Sequence, residues 1–236
     1  MSLYKYSFWE VIQHSFSKDV WDQVLPAIGE TMYMVAISSV FVLFFGLVLG
    51  LILVMTGKEG VLPCKPVHTV LGAFINCFRS LPQVIIIIVM LPVARAIVGK
   101  SYGANACIIS LVASCVPLFA RLVESSLLEM QKGKIEAAKA MGTSNFRILF
   151  QIMLPETLPS LVRAFTNAVV IVISMTALAG GFGAGGIGYI AVTYGFTRFQ
   201  HDVLFATIIV LIVIVQLVQV TGDSISKMIL KKRHLI

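Results

Sequence analysis

The chain has 236 residues, of which 58% are hydrophobic and only 12% charged, and its mean hydropathy is +0.95. A soluble domain of this length could not bury so large an apolar fraction, so the composition excludes a soluble globular protein and predicts an all-α bundle of membrane-spanning helices. The net charge of +7 does not indicate nucleic-acid binding, because the basic residues fall in short connectors and the C-terminal tail rather than along one stripe.

Residues 1–26 form a mixed segment before the first long apolar run, and we expect it to lie outside the cell or at the membrane interface. No secretory signal peptide is expected, because Glu10, Lys18 and Asp19 interrupt the segment. Its apolar residues recur at helical spacing, which predicts either a helix on the membrane surface or one that caps the bundle through protein contacts. These residues are Trp9, Ile12, Phe16, Val20 and Val24.

Five apolar runs follow within a predicted transmembrane domain over residues 27–222, and we expect five crossings. The runs cover about 31–55, 67–98, 104–128, 158–179 and 203–220. The second run is too long for one straight crossing and contains Arg79, Pro82 and Pro92, so it predicts either one kinked helix or two short passes.

The distribution of basic residues favours five crossings, with the N-terminus outside and residues 223–236 forming a basic cytoplasmic tail. In this scheme ten lysines and arginines lie on the cytoplasmic side and four outside. The cytoplasmic set is Lys58, Lys65, Lys132, Lys134, Lys139, Arg147, Lys227, Lys231, Lys232 and Arg233, and the external set is Lys5, Lys18, Lys100 and Arg198. Two short passes in the second run would fit this positive-inside pattern less well.

Hydropathy breaks most clearly at residues 132–155, where the pattern predicts a helix-turn-helix elbow facing the cytoplasm. Residues 136–141 are strong helix formers, and Gly142 stands where a helix ends in the left-handed conformation. Thr143 or Ser144 can cap a second short helix, and Pro155 suits the first turn of the next span. The apolar residues of that second helix are Phe146, Ile148, Leu149 and Ile152.

The glycines at 180–188 match the dinucleotide-binding pattern only formally, because an apolar span precedes them instead of a strand. We expect a break in the fourth helix with close backbone packing.

A phosphate-binding loop is also absent, since Glu59 follows Gly57-Lys58 and Ile52 stands where the first glycine is required. The four cysteines and four histidines have no metal-ligand spacing and no nucleophile–base pattern, so neither a metal site nor an enzyme is expected.

Polar and sulfur-containing residues inside the apolar runs are candidates for a substrate path, although methionine at such positions is more often core filling. The candidates are Arg79, Met90, Asn167, Ser174, Met175 and Thr176. Arg79 has a second interpretation, an arginine that snorkels or pairs near the cytoplasmic half of a kinked helix. Arg121 and Glu124 lie three apart and predict a local ion pair, and Gly46 and Gly50 form a G-x-x-x-G motif assigned to helix packing.

The stretch E-A-A-K-A-M-G-T-S-N-F-R-I-L-F-Q-I-M-L-P, residues 136–155, resembles the EAA loop of bacterial ABC importer permeases. All seven positions of that family pattern are met, by Glu136, Ala137, Ala138, Gly142, Ile152, Leu154 and Pro155. Further segments resemble the methionine branch of these permeases, namely F-R-S-L-P at 78–82, L-P-V-A-R-A-I-V-G at 91–99, P-L-F-A-R-L-V-E-S-S-L-L-E at 117–129 and G-A-G-G-I-G-Y at 183–189.

The resemblance implies a type I importer of the bacterial inner membrane that moves methionine by alternating access. It implies two copies of this chain, two cytoplasmic ATPases that bind ATP and Mg, and an external substrate-binding lipoprotein; this chain would bind no cofactor. Glu136, Ala137, Ala138 and Gly142 would form the coupling helix and its turn, while Ile152, Leu154 and Pro155 would anchor the return. The alternatives are a permease for another amino acid or small solute, and an ion-coupled secondary transporter suggested by Arg79 and the broken second run.

Overall fold

The computed structural model describes residues 7–58, 60–130 and 132–232, and within these ranges it contains helices and no strand. The helices, in chain order, are α1 (Phe8–His14), α2 (Lys18–Thr56), α3 (Lys65–Ser80), α4 (Gln83–Val98), α5 (Ala104–Leu128), α6 (Lys132–Ala140), α7 (Asn145–Arg147), a π-helical stretch (Ile148–Met153), α8 (Leu154–Gly180), α9 (Gly186–Ile190), a second π-helical stretch (Ala191–Thr197) and α10 (His201–Lys232). Lys5 and Arg233, which entered the charge count, lie outside the described residues.

Within the described ranges, four helical segments are long and apolar enough to cross a membrane, and α3 with α4 supplies a fifth crossing if the pair is one span. The four are α2, α5, α10 and the continuous helical segment of 36 residues from Asn145 to Gly180. This architecture confirms the predicted all-helical fold with about five membrane helices.

The second apolar run is divided into two helices that meet at an angle of 107°. The break falls at Leu81, which is extended with φ −82° and ψ 138°, because the ring of the following proline disfavours a helical conformation at the residue before it. Each helix has 16 residues and is therefore about 24 Å long, which is less than the roughly 30 Å of a hydrocarbon core. Pro82 thus breaks the run, whereas Pro92 lies inside α4.

The first and last long helices extend beyond the apolar runs that predicted them. Helix α2 begins at Lys18 and passes through the expected boundary at residue 26, and α10 continues through residue 222 to Lys232. Hydropathy locates only the lipid-compatible part of a helix, so amphipathic turns that continue it are missed.

The described residues among 1–40, 82–113 and 169–218 form one compact unit. Its core includes Val20 and Val24 of α2, packed with Ile187 of α9 and with residues of α10. The remaining members of the core are Ala27, Val203, Ala206 and Val210. Val20 and Val24 therefore make the protein contacts that one interpretation of the N-terminal segment predicted.

The earlier part of the N-terminal segment differs, because its aromatic side chains do not pack into that core. Phe8, Trp9 and Phe16 are 66%, 72% and 60% exposed. The chain turns at residues 15–17 between α1 and α2, so the single predicted helical face is divided into an exposed half and a buried half.

The described residues among 41–81, 114–168 and 219–236 form the second unit. Here α2 and α5 pack closely at the predicted G-x-x-x-G motif. A Cβ added at Gly46 would lie 2.6 Å from Cδ1 of Phe119, and one added at Gly50 would lie 2.6 Å from Cβ of Val123. The motif is therefore confirmed as a helix-packing site.

The predicted pair of Arg121 and Glu124 is also confirmed in this unit, with Nη1 of Arg121 2.5 Å from Oε2 of Glu124. The other terminal nitrogen, Nη2, donates to the carbonyl oxygen of Gly72 at 3.1 Å and to Oδ1 of Asn76 at 3.0 Å. A single guanidinium thus joins α5 to α3.

Candidate functional site

The predicted elbow begins with α6, whose C-terminal end is closed by two backbone hydrogen bonds. The amide of Gly142 donates to the carbonyl of Lys139 at 2.9 Å, and the amide of Thr143 donates to the carbonyl of Ala138 at 3.1 Å. These two bonds define a Schellman motif, which requires a left-handed residue at its turn. Gly142 has φ +73°, which confirms the predicted turn.

The outer surface of the elbow is exposed and partly apolar. Glu136, Ala137 and Ala140 are exposed on α6, whereas Ala138 is only 1% exposed and faces the protein. Beyond the turn, Met141 and Phe146 are 77% and 67% exposed. An exposed apolar cluster beside small side chains is typical of a protein-binding surface, because small side chains let a partner approach closely.

The return from the elbow is anchored by buried side chains at Ile148, Leu149 and Met153. Ile152, Leu154 and Pro155, which the family pattern specifies, are half-buried beside them. The sequence predicted a separate second helix here, and that prediction was wrong, because α7, the π-helical stretch and α8 form one continuous segment. In the π-helical stretch the amide of Leu154 donates to Leu149, five residues back, and this wider turn accommodates Pro155, which has no amide hydrogen to donate.

Two polar contacts hold the start of α8, one from the elbow and one from Glu129, which follows α5. Lys134 of α6 forms an ion pair with Glu156, in which both side chains are substantially exposed. Oγ of Ser160 donates to Oε2 of Glu129, at the end of α5, at 3.2 Å. The elbow is therefore held mainly by its own backbone and its buried anchors, because exposed ion pairs contribute little.

The candidate path residues differ in burial. Met175 and Thr176 are fully buried in α8, where Oγ1 of Thr176 donates to the carbonyl of Ile173 at 2.7 Å. Ser174 is exposed in the same helix, although its hydroxyl donates to the carbonyl of Val170. Met90 is half-buried in α4.

Two charged or amide side chains among these candidates are exposed on membrane helices. Arg79 lies in the last turn of α3, next to the bend, and Asn167 lies on α8. The structure adds Arg163, which is exposed four residues before Asn167 and so lies on the same face of α8. The sequence interpretation missed Arg163, although an arginine in an apolar run was a sufficient signal.

The glycine segment after α8 is fixed by residues that the sequence interpretation also missed. The amide of Gly186 donates to Oε2 of Glu30 at 2.7 Å, and the amide of Ile187 donates to Oγ1 of Thr31 at 2.9 Å. A Cβ added at Gly188 would lie 2.6 Å from Cα of Ala177. The break and close backbone packing expected at 180–188 are confirmed.

Among the described residues, no three His, Cys, Asp or Glu side chains converge in a group that could hold a metal ion.

Comparison with known families identifies the kind of protein that carries this elbow. Residues 43–233 match the family described as the binding-protein-dependent transport system inner membrane component. The chain belongs to this family.

The permease has relatives of nearly its full length. It is 40% identical over 204 residues to the probable D-methionine transport system permease protein MetI of Vibrio cholerae, a match covering 86% of this chain and 91% of that protein. It is 39% identical over 181 residues to the methionine import system permease protein MetP of Bacillus subtilis, covering 77% and 82% of the two chains. These matches confirm the predicted resemblance to methionine ABC importer permeases.

A solved structure agrees with this assignment. The permease is similar to a chain in an inward-facing conformation of the MetNI methionine ABC transporter, with a TM-score of 0.88 and 34% identity, covering 91% of this chain and 99% of that one. It also shares its fold, with a TM-score of 0.69 and 13% identity, with a chain of an amino acid ABC transporter crystallised with histidines. The permease is therefore a membrane subunit of a transport system.

Proposed function

We propose that this permease carries methionine into the cell as the membrane subunit of an ATP-driven importer, with ATP bound and hydrolysed by a separate polypeptide. Support for the cargo comes from the relatives named for methionine transport. Support for a separate ATPase comes from the missing phosphate-binding loop and from the geometry of the elbow. No cofactor is assigned to this chain.

One observation carries the coupling role: a short helix, closed by its own Schellman motif, presents exposed small and apolar side chains while its return is buried. A simple connector between two spans needs neither the exposed Met141 and Phe146 nor the buried Ile148 and Leu149. A projection that fits a depression in another protein needs both, because it must be apolar outside and firmly anchored inside. We assign the contact with the ATPase to Glu136, Ala137 and the surface around Gly142.

The coupling step follows from the continuity of the helix behind the elbow. The segment from Asn145 to Gly180 has 36 residues and a length of about 54 Å. Closure of two ATPase subunits would displace α6, and the anchors at Ile148, Leu149 and Met153 would pass that displacement to the whole segment. Alternating access then follows if the two end states differ in their affinity for nucleotide.

The proposed assembly contains two copies of this permease, two ATPases and an external binding protein in the bacterial inner membrane. The N-terminus lies outside, and the elbow and C-terminus lie in the cytoplasm. This orientation is supported by Lys134, Lys139 and Arg147 at the elbow and by Lys231 and Lys232 at the end of α10.

The cargo would pass along exposed polar groups in the membrane helices, selected mainly by the external binding protein. We propose Arg79, Asn167 and Ser174 as path residues, together with Arg163 on the Asn167 face of α8. Met90, Met175 and Thr176 remain weaker candidates, because they are half-buried or buried.

The test is uptake of labelled methionine by proteoliposomes that contain the whole transporter and its binding protein. Gly142→Asp places a negative charge at the elbow and should abolish ATP-dependent uptake and weaken ATPase association. Gly142→Asn is the matched control, since asparagine has the same shape without the charge and tolerates a left-handed backbone. Full uptake by Gly142→Asp would overturn the coupling role.

The same vesicles separate this proposal from its alternatives. Vesicles with the permease alone should show no uptake, and uptake driven by an ion gradient would instead indicate a secondary transporter. Competition by unlabelled amino acids measures the cargo range, and displacement by a different amino acid at lower concentration than methionine would overturn the assignment of methionine.

A further inference from the structure

A cavity of about 260 Å³ lies beside the elbow, within the second unit of the permease. Its walls come from the end of α2 and the loop that follows, from α3, from the end of α5, from α6 and from the π-helical stretch at 148–153. Ligand pockets commonly have about 300–1,000 Å³, so this cavity is suited to a compact solute.

One side of the cavity is apolar. Leu53, Val54 and Leu127 are 0%, 3% and 1% exposed, and Met130 and Met153 are also buried. Methionine side chains adapt to different apolar shapes, because they are unbranched and polarizable. This wall can therefore accept a short apolar chain without strict requirements on its shape.

Three polar side chains also line the cavity: Lys58, His68 and Glu124. Oε2 of Glu124 is occupied by Arg121, but no described residue donates to Oε1. The exposed Lys58 has no acidic partner at ion-pair distance in the described part of the chain. The cavity therefore offers a positive group, the ammonium of Lys58, and a negative one, Oε1 of Glu124, and each can form a further hydrogen bond with a ligand.

His68 adds an acceptor to this set. Its Nδ1 lies 3.1 Å from the carbonyl oxygen of Leu53, and a carbonyl oxygen can only accept a hydrogen bond. Nδ1 therefore carries the hydrogen, and in the neutral ring Nε2 is left to accept one.

These groups together select the charge of the ligand. An apolar carboxylate could pair with Lys58 but would share the cavity with the carboxylate of Glu124, and an apolar amine could pair with Glu124 but would share it with Lys58. A molecule with both an ammonium and a carboxylate can satisfy both residues, since charge-assisted hydrogen bonds offset the cost of removing charged groups from water. We infer that the cavity binds a compact zwitterionic amino acid with an apolar side chain.

In this arrangement the ligand carboxylate meets Lys58, and its ammonium donates to Oε1 of Glu124 or to His68. The apolar side chain lies against the buried wall. The ligand also touches the elbow, because Ile135 belongs to α6 and Met153 to its return. If the elbow moves with the ATPase, as the proposed function requires, ligand affinity and nucleotide state affect each other reciprocally.

The test uses the assembled transporter in lipid nanodiscs without the external binding protein, and L-methionine as the probe. Ile135→Cys places a thiol in the cavity wall, and its modification by a maleimide is counted at that residue by mass spectrometry. Methionine should slow modification about threefold at a concentration of about twice its Kd. Gly133→Cys, at an exposed position of the same helix that neither lines the cavity nor belongs to the surface assigned to the ATPase, is the control and should show no protection.

Analogues and variants test the chemistry of the site. Replacing the ammonium or the carboxylate of methionine by hydrogen should remove most of the protection, and so should Lys58→Gln. Gly57→Leu should abolish protection by filling the cavity, because a Cβ at Gly57 meets nothing closer than 3.5 Å and can be accommodated. Gly133→Leu is its control, because a Cβ there meets nothing within 4 Å.

Equal modification of Ile135→Cys with and without saturating methionine would overturn the site. Protection that persists in both Lys58→Gln and Gly57→Leu would also overturn it, because the ligand would then bind elsewhere. ATP-driven uptake by the unmodified transporter is measured separately: normal uptake without protection contradicts only the cavity, whereas protection without uptake contradicts only the proposed function.

Discussion

The permease makes two sharp turns with glycine, at the elbow and after α8. Both end a helix at a left-handed glycine, Gly142 and Gly183, but the packing around Gly142 differs from that around Gly188 in α9. Gly142 has φ +73°, and a Cβ added there would meet nothing within 4 Å, so glycine is required by the backbone conformation alone. Gly188 has no left-handed conformation, but a Cβ there would lie 2.6 Å from Cα of Ala177. The first turn leaves an open surface for a partner, and the second closes a packed segment.

The two turns also differ in what holds them. The elbow is closed by local backbone bonds from Gly142 and Thr143, within five residues of their acceptors. The turn after α8 has the same local closure, because the amides of Gly183 and Ala184 donate to the carbonyls of Gly180 and Ala179 at 3.1 and 3.2 Å. It is held in addition by Glu30 and Thr31, each 156 residues away in sequence from its donor. Both turns are therefore closed by local backbone bonds, and the packed segment adds contacts from distant parts of the chain.

The largest effect is expected for Gly188→Ala, which tests the close backbone approach. The new methyl group would overlap backbone atoms that cannot rotate away, at a cost of about 2 kcal/mol or more. For a chain of this size the Tm should fall by roughly 4–8 °C, measured by thermal unfolding of the purified transporter. Gly181→Ala is the control, since its Cβ would be 3.4 Å from the nearest atom, and an equal Tm for the two variants would contradict the packing role.

Thr31→Val tests the distant support of the glycine segment. It keeps the shape of the side chain but leaves the buried amide of Ile187 without its acceptor, which should cost about 1–3 kcal/mol. Thr197→Val provides the comparison, because the hydroxyl of Thr197 is exposed and bonds to its own helix. The contribution of Thr31 would be disproved if the free energies of unfolding fell by the same amount in both variants.

Gly142→Ala tests whether the elbow needs only a left-handed residue. Alanine in that conformation lowers stability by about 1–2 kcal/mol, although its Cβ overlaps no other atom, and asparagine lowers it less. We therefore expect a smaller loss of thermal stability than for Gly188→Ala, and partial recovery in Gly142→Asn. If asparagine lowered the Tm as much as alanine, the requirement would not be conformational.

The smallest effect is expected for Lys134→Gln, which removes the ion pair with Glu156. These side chains are 46% and 36% exposed, so their pairing should contribute about 1 kcal/mol or less. Thermal unfolding at low and high salt should differ little between the variant and the original chain. A loss of several degrees that disappears at high salt would show that charge pairing, rather than the buried anchors, fixes the elbow.

The elbow was largely predictable because its signals are local. Strong helix formers followed by Gly142 predict a helix end, and the Schellman motif forms between neighbouring residues. The continuity of the helix beyond it was not predictable, because Pro155 suits both the first turn of a new helix and a π-helical turn within one helix. Only the register of the backbone hydrogen bonds distinguishes the two.

The glycine segment was predictable only in part. Its composition indicated close packing, but Glu30 and Thr31 could not be paired with Gly186 and Ile187 from sequence, since no local pattern links positions so far apart. The same reason explains the cavity beside the elbow, whose polar residues Lys58, His68 and Glu124 come from three different elements.

The sequence by itself determined the membrane environment, the approximate helices, an interruption somewhere in the second apolar run, and the turn at Gly142. Each of these depends on hydrophobicity or on the conformational limits of one or two residues. Tertiary structure alone decided that the second run bends by 107°, that Val20 and Val24 enter a core while Trp9 stays exposed, and which residues hold the glycine segment. These outcomes depend on which surfaces meet when distant helices pack, and that information is not carried by any local stretch of the chain.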